Sequence, residues 1–205
     1  MEAATSITHP AKRELPGEKA SLIVDAMRSS VAARGIAGST FDHVAREAGV
    51  SRGLLHYYFG TKERLLVKVV RRECDLTRQR LERGVSGADS VDDVLAALVQ
   101  SFEDFIGEGP SHVVTFYEIL TLAQWNEEIA AELAELGRQV RAHLGDLLRA
   151  KTDAGVLSLD ADPEAAAGLL LALADGLTVR MLSEPELDIA PLMDLAVSAA
   201  RALLG

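Results

Sequence analysis

Apolar residues recur at intervals of three and four along most of this chain. One such stripe, between about 17 and 34, predicts an amphipathic helix that Gly35 is placed to end. Comparable stripes predict helices at about 62–83, 90–106, 111–125, 163–183 and 189–204, and another that begins at 126. No segment alternates convincingly with the period of a strand. The pattern therefore predicts an all-α protein of about nine helices.

Two shorter helices fill the interval between the first and the fourth. Ser39 followed by Asp42 has the spacing of a capping box, which predicts the start of the second helix, and Gly49 is placed to end it. Ser51 predicts the start of a third helix that Gly60 interrupts. Two short helices joined by a tight glycine-containing turn are typical of a helix-turn-helix.

Charge is distributed unevenly along the chain. The formal net charge is −10, which by itself is unusual for a nucleic-acid binder. Residues 12–83 nevertheless hold 15 Lys and Arg against 9 Asp and Glu, whereas residues 84–205 hold 6 against 21. A basic module is thus joined to a strongly acidic one, and only the first is suited to DNA.

Several classes of protein are disfavoured by the residues. The first residues lack the pattern of a signal peptide, and the most apolar stretch, 165–174, stops at Asp175, so we expect a soluble, cytoplasmic protein. Cys74 is the single cysteine, which excludes an internal disulfide. The histidines form no metal-binding pair, and no phosphate loop or nucleophile elbow occurs. We therefore expect no cofactor, no metal and no enzymatic activity.

Residues 40–66, TFDHVAREAGVSRGLLHYYFGTKERLL, resemble the DNA-binding signature of the tetracycline-repressor (TetR) family. The residues that stand at family positions are Thr40, Val44, Ala45, Ala48, Gly49, Val50, Ser51, Gly53, Tyr57, Tyr58, Phe59, Lys62 and Leu65. The resemblance by motif covers about residues 17–70. It implies a three-helix DNA-binding domain followed by a helical bundle that senses a small molecule.

The third helix is expected to read DNA, for physical reasons as well. In a helix-turn-helix the second helix enters the major groove, where Arg52 could bind guanine and Leu54 could touch a thymine methyl. Hydroxyl and ammonium groups nearby suit phosphate contacts. His56 stands where the family often has tyrosine, which leaves the preferred bases open. The predicted DNA-binding residues are Thr40, Ser51, Arg52, Gly53, Leu54, His56, Tyr57 and Lys62.

The predicted organisation has three parts: a flexible arm over 1–15, the DNA-binding domain over 16–61, and a sensing and dimerisation domain over 62–205. Gly168, Ala172 and Gly176 recur at four-residue spacing, so two copies of this helix could pack closely. The resemblance implies that the last two helices of each subunit form the dimer interface. Packing within one subunit is the alternative for this stripe.

Polar residues inside the apolar helices of the acidic part indicate a ligand pocket, because buried polar groups need partners. The sixth helix, apolar on most sides, is expected to be buried on several faces. The predicted ligand-binding residues are Phe102, Phe105, His112, Thr115, Tyr117, Glu118, Thr121, Trp125, Asp175 and Thr178. Ordinary core packing or ion pairing is the alternative for each residue singly.

The sequence thus favours a ligand-responsive regulator that binds a palindromic operator as a homodimer. The resemblance implies a repressor that a small molecule releases from DNA. Two alternatives differ in class: a helical protein-interaction module without DNA binding, and a small helical enzyme that uses Glu118, His112 or Asp175. Neither has a motif of its own in the sequence, and only the regulator should lose DNA affinity steeply as salt rises.

Overall fold

The computed structural model describes residues 17–205, without the side chains of residues 110–112, and the predicted arm over 1–15 lies outside this range. Within that range the chain forms nine α-helices and one 3-10 turn, and no strand. The helices are α1 (Gly17–Gly38), α2 (Phe41–Glu47), α3 (Arg52–Phe59), α4 (Lys62–Ser86), α5 (Val91–Gly107), α6 (Pro110–Leu122), α7 (Glu127–Asp153), α8 (Pro163–Ser183) and α9 (Ala190–Leu204), with the 3-10 turn (Ala123–Trp125) between α6 and α7. The predicted all-α class is confirmed.

Side-chain caps explain where most of these helices begin. The hydroxyls of Ser51, Thr61 and Ser90 accept hydrogen bonds from backbone N–H groups three residues ahead, at the starts of α3, α4 and α5. Asn126 and Asp162 do the same for α7 and α8. Because the first N–H groups of a helix lack partners inside it, each cap fixes a starting residue.

The predicted capping box of Ser39 and Asp42 is wrong. Thr40 caps α2 instead and accepts from the backbone N–H of His43. The hydroxyl of Ser39 is buried, where it accepts from Ser30 and donates to the carbonyl of Gly35. Gly35 has a φ of 69°, which interrupts the helical geometry of α1 and brings this carbonyl within reach. The competing buried hydrogen bonds explain the difference.

Buried side chains form two cores. The first core joins α1–α3 to the N-terminal half of α4 and to parts of α6 and α7, through Ile23, Met27, Val44, Leu55, Leu65, Leu66, Ile119 and Leu136 among others. The second core joins the other half of α4 to α5, α7, α8 and α9, through Leu81, Val85, Val94, Leu144, Leu148, Ala167 and Leu204 among others. Helices α4 and α7 pass through both cores and connect them.

Helix α8 covers the range 163–183 that the sequence predicts, and it continues through Asp175 to Ser183. By length and composition alone it is the one described helix that could cross a membrane. A core helix of a soluble protein meets the same measures, and here α8 packs against α7 and α9.

Candidate nucleic-acid interface and internal cavity

The turn between α2 and α3 sets the direction of the third helix. Gly49 adopts a φ of 66°, a conformation that glycine reaches without steric cost, and the N–H of Val50 then donates to the carbonyl of Ala45. Leu55 and Phe59 on the inner face of α3 are buried in the first core. The opposite face of α3 is therefore held outward on a fixed support.

The outward face carries most of the predicted DNA-binding residues. Ser51, Arg52, Gly53, His56 and Tyr57 are exposed, and Tyr57 keeps 58% of its surface accessible. At Gly53 an added Cβ would meet no protein atom closer than 4.0 Å, so packing within the chain does not require a glycine there. A small residue on an open surface suits the close approach of an external groove.

Arg52 is held between two neighbours. Its Nη1 lies 3.2 Å from Oδ2 of Asp42 on α2, and its Nε donates to Nε2 of His56 over 3.3 Å. The Nδ1 of His56 lies 3.4 Å from the carbonyl oxygen of Gly60, so Nδ1 donates and Nε2 accepts. The His56 ring packs edge-on against Phe41, with ring centroids 4.8 Å apart.

The other predicted DNA-binding residues have structural partners. Thr40 and Ser51 cap α2 and α3, as described above, and both remain exposed. Leu54 is half-buried against the first core. The ammonium of Lys62 donates to the carbonyl of Ile36 over 2.8 Å, which ties the start of α4 to the end of α1.

A cavity of about 860 Å³ lies among the helices α4 to α9, each of which contributes lining residues. Its wall includes Val70 and Leu133 from the first core, and Leu81, Leu144 and Leu170 from the second. The cavity therefore lies between the two cores. Its volume falls in the range of small-molecule sites, about 300–1,000 Å³.

Four of the predicted ligand-binding residues line this cavity: Phe102, Phe105, Asp175 and Thr178. Tyr117 does not line it, but its hydroxyl donates to Oδ1 of Asp175 over 3.3 Å. The ring of Phe105 packs edge-on against Phe116, another lining residue, at 5.4 Å. These residues gather from α5, α6 and α8.

The structure places the remaining predicted pocket residues elsewhere. Thr115 is buried outside the cavity wall, while Glu118, Thr121 and Trp125 are exposed. Trp125 keeps 86% of its surface accessible. The side chain of His112 lies outside the described residues. The prediction that α6 is buried on several faces is confirmed: it packs against α1, α4, α5, α7 and α8, and one side, with Val114, is exposed.

Sequence reasoning missed the polar lining residues that α4, α5 and α7 provide. The missed polar lining residues are Glu73, Cys74, Thr77, Ser101, Arg138 and Arg141. Glu73 carried a signal, because a carboxylate sits within the apolar stripe of α4, and in the structure it is buried. The two arginines gave no such signal, since arginine on an amphipathic helix normally faces solvent.

Burial shifts the pKa of several groups around the cavity. The apolar walls raise the pKa of Asp175, although part of that residue stays exposed. Burial, with the charge of Asp175, raises the pKa of Tyr117 to about 12. Burial and the neighbouring carboxylate of Asp75 raise the pKa of Cys74 to about 11, so its thiol is protonated at neutral pH.

Charged pairs connect α1 to the wall of the cavity. Nη1 of Arg28 on α1 lies 2.6 Å from Oε2 of Glu108, the residue that ends α5, and 3.7 Å from Oε1 of Glu73. Arg80 on α4 lies 3.7 Å from the other oxygen of Glu108. Phe105, one turn before Glu108, lines the cavity. The end of α5 thus contacts both the cavity and the first helix.

No group of three or more His, Cys, Asp or Glu side chains in the described part of the chain is arranged to hold a metal ion.

Comparison with known proteins agrees with the geometry of both halves. Residues 23–69 match the family model for bacterial regulatory proteins of the tetR family. Residues 91–205 match the C-terminal model of BetI-type transcriptional repressors. A sequence relative, the HTH-type transcriptional regulator BetI of Rhizobium meliloti (strain 1021), is 30% identical over 158 residues, which cover 77% of this chain and 75% of the relative.

Solved structures share the fold over almost the whole chain. A Rhodococcus sp. protein described as a TetR-family transcriptional regulator aligns with a TM-score of 0.74 at 27% identity, covering 93% of this chain and all of the other. The transcriptional regulator FadR from Bacillus subtilis, solved with stearoyl-CoA, aligns with a TM-score of 0.72 at 19% identity, covering 90% and 99%. The second likeness shows the fold alone. On the evidence of its two matching halves, this chain belongs to the TetR family of bacterial transcriptional regulators and carries a C-terminal domain of the BetI repressor type.

Proposed function

We propose that this protein is a repressor that binds a palindromic operator as a homodimer and leaves it when a small molecule fills the internal cavity. One observation supports this most: the cavity lies between the first core, which supports α3, and the second core, which carries α8 and α9. A molecule in that gap can change how the two parts sit relative to each other.

The DNA-binding half of the proposal rests on the outward face of α3. We assign Arg52, Gly53 and His56, which are exposed, to contacts with base edges, and Tyr57 and Lys62 to contacts with phosphates. Ser51 and Thr40 keep exposed hydroxyls besides their capping role. The basic segment 12–83 supplies the positive potential that such a surface needs.

The dimer half rests on an apolar face that a single chain leaves open. Leu169 and Val179 on α8, and Leu192 and Leu195 on α9, are exposed, Leu195 to 69%. An added Cβ at Gly176 would meet nothing within 4 Å, so the space beside this part of α8 is open. Exposed apolar patches of this kind mark interaction surfaces, and a two-fold pair matches a palindromic site.

The charge arrangement of the cavity suggests the class of ligand. Arg138 and Arg141 are paired with Glu135 and Glu164, at 2.5 and 3.1 Å, so their charges are compensated. Glu73 is likewise paired, with Arg28 at 3.7 Å, so Asp175 is the acidic lining residue that bears on the ligand in an otherwise mostly apolar wall. We expect an apolar or aromatic molecule that is neutral or carries a positive charge.

The experiment that tests the proposal has two stages. Fragments bound by the full chain are first selected from random duplex DNA, and the affinity for the selected site is measured from 50 to 200 mM salt. We expect an inverted repeat and a steep loss of affinity with salt, because phosphate contacts release counterions. Arg52→Ala should relax base preference, whereas Tyr57→Ala should weaken all sequences alike.

The second stage tests the response to a ligand. Candidate amphiphilic cations and neutral aromatic compounds are titrated into the complex of protein and selected DNA. Release of DNA, with weaker ligand binding to the operator-bound form than to the free protein, supports the proposal, since linkage is reciprocal. Equal ligand affinity for both forms contradicts the coupling. Absence of any selected sequence contradicts the regulator itself and favours a protein-interaction module.

A further inference from the structure

An acidic side chain lies beside the arginine that we expect to read bases. Asp42 is the second residue of α2, and both of its carboxylate oxygens lie close to Nη1 of Arg52, at 3.2 and 3.4 Å. A carboxylate at a surface that meets phosphates lowers DNA affinity by charge repulsion. The capping role that the sequence suggested for Asp42 belongs to Thr40 instead.

His56 holds a second edge of the same guanidinium. Its Nε2 accepts from Nε of Arg52, while its ring is fixed by the carbonyl of Gly60 and by the edge of Phe41, which is buried in the first core. Asp42 and His56 therefore hold Arg52 at two different nitrogens. A guanidinium has five N–H donors in a planar fork, so these contacts still allow a bidentate contact with guanine.

We propose that Asp42 determines sequence specificity: its carboxylate, together with His56, fixes the Arg52 guanidinium in the orientation that reads a guanine. This inference rests on the proposed function, in which Arg52 reads bases. An arginine that is ordered beforehand loses less conformational freedom when it meets its base. The negative charge of Asp42 also disfavours binding orientations in which Asp42 faces a phosphate.

The test compares four chains in the same selection from random duplex DNA: wild type, Arg52→Ala, Asp42→Asn and Glu47→Gln. Glu47 is the matched control, because it is the other acidic side chain of α2 and its substitution removes the same charge. Wild type should prefer guanine at one position of each half-site by about five- to hundredfold, the range of a good bidentate contact. Arg52→Ala should abolish that preference.

Asp42→Asn should reduce the guanine preference at the same position by at least about fivefold, while affinity for non-specific DNA stays equal or rises. Glu47→Gln should raise non-specific affinity in the same way but keep the guanine preference. Thermal unfolding should be almost unchanged in both variants, since exposed ion pairs contribute little to stability.

Two results overturn the inference, and the first of them leaves the proposed function in place, including the role of Arg52. One is an Asp42→Asn variant that keeps the guanine preference within about twofold while Arg52→Ala loses it. The other is an Arg52→Ala variant that keeps the preference of the wild type. If the wild type itself selects no sequence, the proposed function fails and this inference fails with it.

Discussion

The two cores of this molecule have the same kind of interior but carry different surfaces. The first supports α1–α3 and the outward face of the reading helix, and the second carries the open faces of α8 and α9. Between them lies the cavity, whose wall belongs to both. The difference suggests that DNA binding and pairing of subunits can be disturbed separately, and that the cavity is where one can influence the other.

The largest expected effect comes from equivalent leucine-to-alanine substitutions, one in each core. Leu55 in the first core and Leu148 in the second are both fully buried. Leu55→Ala and Leu148→Ala should each lower the free energy of unfolding by about 2–5 kcal/mol, because each leaves a void. Only Leu55→Ala should also abolish operator binding by the fraction of protein that remains folded, because Leu55 packs α3 against the first core.

Denaturant unfolding and DNA binding, measured at the same temperature, check this pair. If Leu148→Ala lost operator affinity as completely as Leu55→Ala, the cores would not divide the functions in this way.

The second expected effect concerns the open faces. Leu195→Glu should convert the dimer to monomers, because it places a charge within the apolar face of α9. Operator affinity should then fall by about a hundredfold or more, since a monomer can contact only one half-site. Leu22 on α1 is the matched control, as it is also an exposed leucine. Leu22→Glu should leave the subunits paired. Sedimentation velocity distinguishes the two results, and dissociation by both variants would refute the assignment of the interface.

A third, smaller effect tests the connection between α1 and the cavity wall. Arg28→Gln and Glu108→Gln should each change the ligand response by about 2–30-fold, the range of coupling energies for such contacts, and the double substitution should change it little more than either one, because both remove the same ion pair. The pair of Arg71 and Glu132, 2.8 Å apart between α4 and α7, is the control. The corresponding substitutions to Gln in that pair should leave the response unchanged. An equal effect at both pairs would show that any surface charge matters alike.

The smallest effect is a rate that depends on pH. Because burial raises the pKa of Cys74 to about 11, its alkylation by iodoacetamide should increase about tenfold for each unit from pH 7 to pH 10, where an ordinary thiol would level off near pH 9. A cavity ligand should slow the reaction by covering the thiol. Mass spectrometry of the modified chain gives the rate. A plateau below pH 9 would mean that the thiol is not in the environment described.

The head of this regulator was predictable from sequence because its signals are local. Ser51 and Gly49 act within one turn of the chain, and the pattern of the motif fixes which face of α3 is outward. Even there, the contact of Asp42 with Arg52 was not predictable, because Arg52 lies ten residues away on the next helix. The expected cap at Ser39 does not form, because its hydroxyl donates to the carbonyl of Gly35 instead.

The cavity was harder to predict because six helices build it. Phe102 and Asp175 stood out in the sequence as an aromatic and an acidic residue on apolar helices, and both line the wall. Trp125 lies outside the wall because it belongs to the 3-10 turn that follows α6, and the sequence gives no sign of which way that turn faces. Arg141 was missed because its position depends on how α7 and α8 pack over long range.

A group that fills the cavity between the two cores should lower the affinity for the operator. Cys74, the single cysteine, allows a direct test, because a benzyl group can be attached to it as a mixed disulfide by a methanethiosulfonate reagent and removed again with a thiol. Operator affinity is measured before attachment, after it and after removal, with Cys74→Ser as the control. We predict a loss of about tenfold or more that removal reverses and that the control does not show. Unchanged affinity in fully modified protein would contradict the account.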